Sequence, residues 1–178
     1  MIEIRFQGRG GQGVVVASEI LARACFEDGM YPQCYSLFGG ERRGAPVASF
    51  VRVSDQKIYL KCDIDYPNHL ILFGKNLFSE KEIIRQVIPG GFLLLNTDES
   101  YQLNALKKYT TGMINALEIS KNNGLGAIVN TAILGAYIRL TQIISLDRLL
   151  KVIKETVPAN IEKNIAAAKD AYEKLSII

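Results

Sequence analysis

The chain has 178 residues, 48% of them apolar and 22% charged, with a net charge of +3. That length suits one ordinary domain with a core of its own, spanning 1–178. So small a charge without a Lys/Arg block argues against a nucleic-acid surface. Glu3 and Arg5 interrupt any N-terminal apolar leader, and the apolar runs Leu70–Phe73 and Phe92–Leu95 are too short to cross a bilayer. A cytoplasmic chain away from membranes is expected.

Ile2, Ile4 and Phe6 alternate, so Ile2–Gln7 reads as a strand. The glycine-rich stretch Gly8-Arg9-Gly10-Gly11-Gln12-Gly13 follows. Apolar residues then recur at helical spacing from Val14 to about Phe26, with Gly29 just past the end. Tyr31–Ser36 suits a second strand restricted by Pro32, and Leu37–Pro46 a long turn. Val47–Val53 alternates, and Lys57–Lys61 follows after Ser54-Asp55-Gln56, so these two are expected to pair as an antiparallel hairpin.

Leu70–Phe73 is a continuous apolar run, the pattern of a strand buried on both faces. Ser79 and Glu82 form a capping box for a helix over 80–87, which Pro89-Gly90-Gly91 breaks. Phe92–Asn96 is a further buried strand. Met113–Ala116 feeds a short helix around Leu117–Lys121 that stops at Asn122-Asn123-Gly124. Asn130 is a good N-cap for a helix through Leu140. Two closing helices, Leu146–Thr156 and Ile161–Leu175, flank Pro158. Strands alternating with helices predict an α/β fold: a three-layer α/β/α sandwich, a Rossmann-like variant whose hairpin makes the sheet mixed.

Chemistry concentrates in three places. Gly8-x-Gly10-x-x-Gly13 has the strand–turn–helix setting of a phosphate cradle, where free N–H groups and the positive end of a helix face an anion. Arg9 and Gly11 add charge and backbone access. The competing reading is that these glycines only permit tight strand-to-helix packing. A dinucleotide site would also want an acidic residue about 20 positions on, to hold the ribose, and Tyr31–Phe38 contains none. In Glu41-Arg42-Arg43-Gly44-Ala45-Pro46, paired guanidiniums suit a bidentate grip on phosphate, or else form a solvated turn with a local ion pair. Asn130-Thr131 presents an amide and a helix start to a ligand, or simply caps the helix.

Cys25, Cys34 and Cys62 lack any C-x-x-C spacing, which argues against a disulfide framework, a zinc site or a cluster held by this chain; buried free thiols are expected. His69 is the only histidine, so a His-based triad has little to work with. Asp63-x-Asp65 reads as a turn.

Three blocks together carry a resemblance: Gly8-Arg9-Gly10-Gly11-Gln12-Gly13-Val14, then Phe38-Gly39-Gly40-Glu41-Arg42-Arg43-Gly44-Ala45-Pro46-Val47, then Val129-Asn130-Thr131-Ala132 with Leu134-Gly135. In order and spacing they resemble the gamma subunit of pyruvate:ferredoxin oxidoreductase and its 2-oxoacid relatives, over nearly the whole chain. The resemblance implies a subunit of an enzyme that oxidatively decarboxylates a 2-oxoacid, pyruvate first among them, forms acyl-coenzyme A and reduces ferredoxin. It implies alpha, beta and ferredoxin-like delta partners, which carry thiamine diphosphate, magnesium and iron–sulfur clusters. It implies that this chain contacts coenzyme A and covers the active site, with Gly8, Arg9, Gly10, Gly11, Gln12, Gly13, Arg42, Arg43, Asn130 and Thr131 as the candidate contacts. No Gly-Asp-Gly motif for a magnesium diphosphate is present, so the isolated chain is expected to be inactive. Two alternatives stand beside this: a self-contained NAD- or mononucleotide-binding domain, and a purely structural assembly subunit.

Overall fold

The computed structural model describes residues 1–38, 45–74, 85–97, 106 and 108–178. Seven strands form one mixed sheet: β1 (Ile2–Arg9), β2 (Tyr31–Phe38), β3 (Pro46–Ser54), β4 (His69–Leu72), β5 (Phe92–Asn96), β6 (Thr110–Ile114) and β7 (Ser176–Ile177). Their spatial order is β2-β3-β1-β4-β5-β6-β7. β1, β4, β5 and β6 run parallel, while β3 pairs antiparallel with both β1 and β2. Five helices are described: α1 (Val14–Glu27), α2 (Ala116–Asn122), α3 (Asn130–Thr141), α4 (Leu146–Thr156) and α5 (Ile161–Lys174). This is the expected α/β architecture with a mixed sheet.

Strand parity builds two cores. Ile4, Phe6, Ile71, Phe73 and Leu94 face the described helices and join Leu21, Ile133, Tyr137 and Ile153 in the main core. The alternate residues Leu70, Leu72, Leu93 and Leu95 pack on the opposite face with Val87, Leu106 and Tyr109. The central strands are therefore apolar on both faces, as parallel strands require. Within the main core α3 lies unusually close to α5: a methyl on Gly135 would stand 1.9 Å from the Ala168 carbonyl oxygen.

Several sequence expectations need correction. Residues 57–61 form no strand, because both edges of β3 are already taken, by β1 and by β2. The hairpin is β2–β3 instead, so Leu37, Phe38 and Pro46 belong to strands and not to a turn. Pro32 is tolerated because β2 is an edge strand. The β6 strand begins at Thr110, three residues before the expected start. Ser79 and Glu82 lie outside the described residues, as do Gly39 to Gly44. Of the three free cysteines only Cys25 is buried; Cys34 and Cys62 are exposed.

At the amino end of β1 a closed polar network holds a loop against the sheet. Gln33, Arg52 and Glu3 are register partners across β2, β3 and β1. The Arg52 side chain is only 1% exposed and donates to Glu3 Oε1 (2.8 Å), Gln33 Oε1 (3.0 Å), the Cys62 carbonyl (2.8 Å) and the Asp63 carbonyl (3.3 Å). Burial pulls its pKa down, but the hydrogen bond and charge of Glu3 outweigh this and leave it above the ordinary arginine value. Tyr35 Oη accepts the Ile64 N–H (3.1 Å), and Asn68 Oδ1 accepts the Glu3 N–H (2.7 Å). Next to this row, buried His69 meets Tyr137 Oη through Nδ1 at 2.7 Å. Burial lowers the His69 pKa to about 4, so the imidazole is neutral at pH 7 and serves packing.

Candidate anion site at two helix starts

The chain order reverses across the sheet between β1 and β4, and open α/β sheets bind ligands at the carboxyl ends of such strands. The glycine loop leaves β1 at that point. Gly8 is required for space: a methyl there would lie 2.5 Å from Val14 Cγ2 and 3.0 Å from Phe73 Cβ. Gly11 and Gly13 are required for conformation, with φ of 93° and 79°. Both readings of the glycines therefore hold, at different positions of the same loop.

The loop is braced from within. Gln12 Oε1 accepts the Arg9 N–H (2.7 Å), and Gln12 Nε2 donates to the Phe73 carbonyl (3.4 Å). Asn96 Nδ2 donates to that same carbonyl (3.0 Å), while its Oδ1 accepts the N–H of Ala116 (2.9 Å). Gln12 is thus a brace that shapes the turn. The Gly10 N–H donates to the Ala45 carbonyl (3.0 Å), and Arg9 is the register partner of Pro46. The chain that follows Arg42-Arg43 therefore returns directly beside the glycine loop. Arg42 and Arg43 themselves lie outside the described residues.

Gly13 caps α1 with no side-chain hydrogen bond, and the first turn carries no acidic residue. The N–H groups of Val14, Val15 and Val16 precede the first intrahelical bond, which runs from the Ala17 N–H to the Gly13 carbonyl. Arg9 is exposed at the rim, and its guanidinium has no partner among the described residues.

The structure brings Asn130 to this place. A methyl on Gly13 would stand 3.1 Å from Asn130 Cβ and 3.2 Å from its Nδ2. Asn130 is the first residue of α3 and not its N-cap, which is Val129. Its Oδ1 accepts the adjacent Thr131 N–H (2.9 Å), and its Nδ2 has no partner among the described residues. The α3 start has no side-chain cap and no acid in its first turn. Two helix starts thus converge on one spot, each offering donors and positive potential. Thr131 departs from its expected role. It is fully buried, and its hydroxyl donates to Asn164 Oδ1 at 2.9 Å.

The geometry disfavours a dinucleotide site of the usual kind. The strand beside β1 on the α1 side is the antiparallel β3, so no parallel strand ends where a ribose-binding acid would stand. No group of three or more metal-ligating side chains occurs among the described residues. No helix among them is long and apolar enough to cross a membrane.

Known proteins resemble this chain over nearly its whole length. A family model described as Pyruvate ferredoxin/flavodoxin oxidoreductase matches residues 3–174. Pyruvate synthase subunit PorC of Methanothermobacter marburgensis is 44% identical over 176 residues, covering 98% of each chain. The Pyruvate/ketoisovalerate oxidoreductases common subunit gamma of Thermococcus kodakarensis is 41% identical over 186 residues, covering 98% of this chain and 97% of its own. The crystal structure of pyruvate oxidoreductase subunit PORC from Thermotoga maritima superposes with a TM-score of 0.81 at 29% identity, covering 99% of this chain and 97% of that one.

Proposed function

Because this chain belongs to the pyruvate ferredoxin/flavodoxin oxidoreductase family, as a gamma subunit of the 2-oxoacid:ferredoxin type, we propose that its task is to hold the phosphates of coenzyme A and cover the active site of the assembled enzyme. The observation that carries this reading is the meeting of two uncapped helix starts at Gly13 and Asn130, with Arg9 at the rim. Phosphate groups match that donor set in charge and geometry. Arg42 and Arg43 enter the proposal through their position in the chain, since Ala45, two residues after Arg43, accepts the Gly10 N–H at its carbonyl.

On this reading the reacting groups belong to other subunits in the cytoplasm. Alpha and beta subunits hold thiamine diphosphate and magnesium, and a ferredoxin-like delta subunit holds the clusters and passes electrons to ferredoxin. The chemistry those groups supply is decarboxylation and electron transfer. This chain, as a single domain over 1–178, binds, orients and shields. Its three cysteines do not suit a cluster, since Cys25 is buried with a thiol pKa pushed up to about 12 by burial. The surface suits assembly with other chains. The edge strand β2 carries no charged residue over eight positions, and Tyr31, Leu37, Phe38, Tyr59, Leu60 and Tyr66 are exposed along or near it. Unprotected edges and apolar patches of this kind mark interaction surfaces.

The test is steady-state kinetics on the assembled enzyme. Arg42→Ala or Arg43→Ala should raise the KM for coenzyme A about tenfold to a hundredfold, the loss of a charge-assisted hydrogen bond worth roughly 1.5–3 kcal/mol. The KM for the 2-oxoacid should change far less, and lysine should rescue only in part. A fully assembled double alanine variant with unchanged coenzyme A kinetics would refute the ligand role. Poor recovery of the complex on a sizing column, with normal kinetics in what remains, would point to a purely structural subunit.

A further inference from the structure

The face of the sheet turned away from α1 has an unfinished centre. Residues on this face line up in register across β2, β3 and β1, as Gln33-Arg52-Glu3, then Tyr35-Phe50-Arg5, then Leu37-Ala48-Gln7. The first row is closed, because Arg52 is saturated and the loop at Cys62, Asp63 and Ile64 is bonded over it. On the other side of β1, Leu70 and Leu72 are the register partners of Arg5 and Gln7, and they pack with Val87, Leu106 and Tyr109. Between these two covered regions stand Arg5 and Gln7. The Arg5 guanidinium lies 5.5 Å from the centre of the Phe50 ring, which stacks on Tyr35 at 5.0 Å. Its Nε is buried with no hydrogen-bond partner among the described residues, and no carboxylate among them forms an ion pair with it. Burial holds the Arg5 pKa below the ordinary arginine value, against the charges of Asp65 and Tyr35, which pull it up. Gln7 is 9% exposed, and its Oε1 is likewise buried without a partner among the described residues.

We propose that this face docks a neighbouring subunit of the oxidoreductase, which sets an acidic side chain on Arg5 and a hydrogen-bond donor on Gln7. Complementarity identifies the occupant. A partly desolvated guanidinium without a counter-charge costs stability in the free chain, and so does a buried carbonyl without a donor. A carboxylate seated on Arg5 removes the first cost, because the planar fork of arginine matches that group in geometry as well as charge. Gln7 lies two residues along the same strand, about 7 Å away, so one segment of chain reaches both. The surroundings suit a protein surface. A sheet face is flat where small-molecule sites are concave, and Leu37, 49% exposed, gives this one an apolar rim beside the stacked rings. Aromatic residues and arginine are what the centres of interfaces favour. A second copy of this chain does not fit, because a two-fold contact on this face would set Arg5 against Arg5. The docking rests on the chain's membership of a multi-subunit enzyme family and is independent of its proposed role toward coenzyme A.

The test uses the assembled oxidoreductase and the full chain alone. Arg5→Lys keeps the charge and supplies an amine for zero-length carbodiimide coupling. In the assembled enzyme this variant should couple through position 5 to an Asp or Glu of another subunit, located by mass spectrometry and absent from wild type. Coupling only to Asp65 of the same chain, coupling to a second copy of this chain, or no coupling at position 5 would overturn the docking. Arg5→Met removes the charge with a side chain that still packs on Phe50. In a dilution series on a sizing column, the enzyme should lose this variant chain at a concentration about thirtyfold higher than wild type. The free Arg5→Met chain should meanwhile keep its thermal midpoint or gain up to about 4 °C. Equal retention in the complex would overturn the proposal. A weaker complex together with a lower midpoint of the free chain would also overturn it, since Arg5 would then be an internal brace. Arg5→Met complex that remains assembled should show an unchanged KM for coenzyme A, which keeps this result separate from any failure of the coenzyme A reading. A raised KM with full retention would place Arg5 in the ligand site and overturn the docking.

Discussion

The two ends of β1 use polar groups in opposite ways. At the amino end the guanidinium of Arg52 is buried and saturated, with four acceptors drawn from two strands and a loop. At the carboxyl end the first N–H groups of α1, the amide nitrogen of Asn130 and the guanidinium of Arg9 have no partners among the described residues. Both ends are polar, and an arginine serves each. The difference is whether the donors are already spent. A saturated network fixes shape, whereas unspent donors at converging helix starts leave an interaction for something outside the chain to complete.

Substitutions at each end should therefore have separable effects on stability and on binding. Arg52→Met should cost the most, about 3 kcal/mol in a urea titration, because it leaves Glu3 and two loop carbonyls without their donor. The variant protein that remains folded should bind coenzyme A normally within the assembled enzyme. A stability loss accompanied by lost affinity would mean the two ends are coupled.

His69, also at the amino end, gives a pH signature of similar size. Its pKa falls from an ordinary 6.5 to about 4 in the folded chain. The unfolded chain therefore takes up the proton first as pH drops. Stability from this group is complete above pH 6.5, declines below it and is fully lost by about pH 4, a difference of about 3 kcal/mol at 1.36 kcal/mol per unit. Subtracting a His69→Phe profile from the wild-type profile should isolate this slope. Identical profiles would show that the buried imidazole plays no such part.

Gly8→Ala strikes the carboxyl end through packing. Its methyl must displace Val14 or Phe73, so a loss of about 1–3 kcal/mol in thermal unfolding is expected, together with weaker coenzyme A binding as α1 shifts. Asn130→Ala should have the smallest effect on stability at that end. It should weaken coenzyme A about tenfold through the loss of one hydrogen bond to phosphate.

Much of this was legible in the sequence, and the failures have physical causes. Gly8–Gly13 announced a strand–turn–helix unit, and α1, α4 and α5 were found within a residue or two, because helical periodicity and punctuation are local. The mistaken hairpin was a pairing error. Residues 57–61 alternate like a strand, but β1 and β2 had already claimed both edges of β3, and local pattern carries no record of edges. Arg52 sits at an alternating position that reads as solvent-facing, yet it is buried by a loop ten residues on. The two-residue β7 is too short to register. Asn130 was found for a capping role that Val129 fills, and its value comes from touching Gly13, more than a hundred residues away. Asn164 gave no local signal at all, since only the fold brings it to Thr131.

We expect the helix starts at Gly13 and Asn130 to receive a phosphate. Asn130→Asp tests it most directly, because the side chain keeps its shape while a donor becomes a negative charge. Calorimetric titration of coenzyme A into the assembled enzyme should show affinity reduced by about a hundredfold or more, with sizing profile and thermal midpoint close to wild type. Wild-type affinity in the assembled Asn130→Asp enzyme would mean that no phosphate rests on these helix starts.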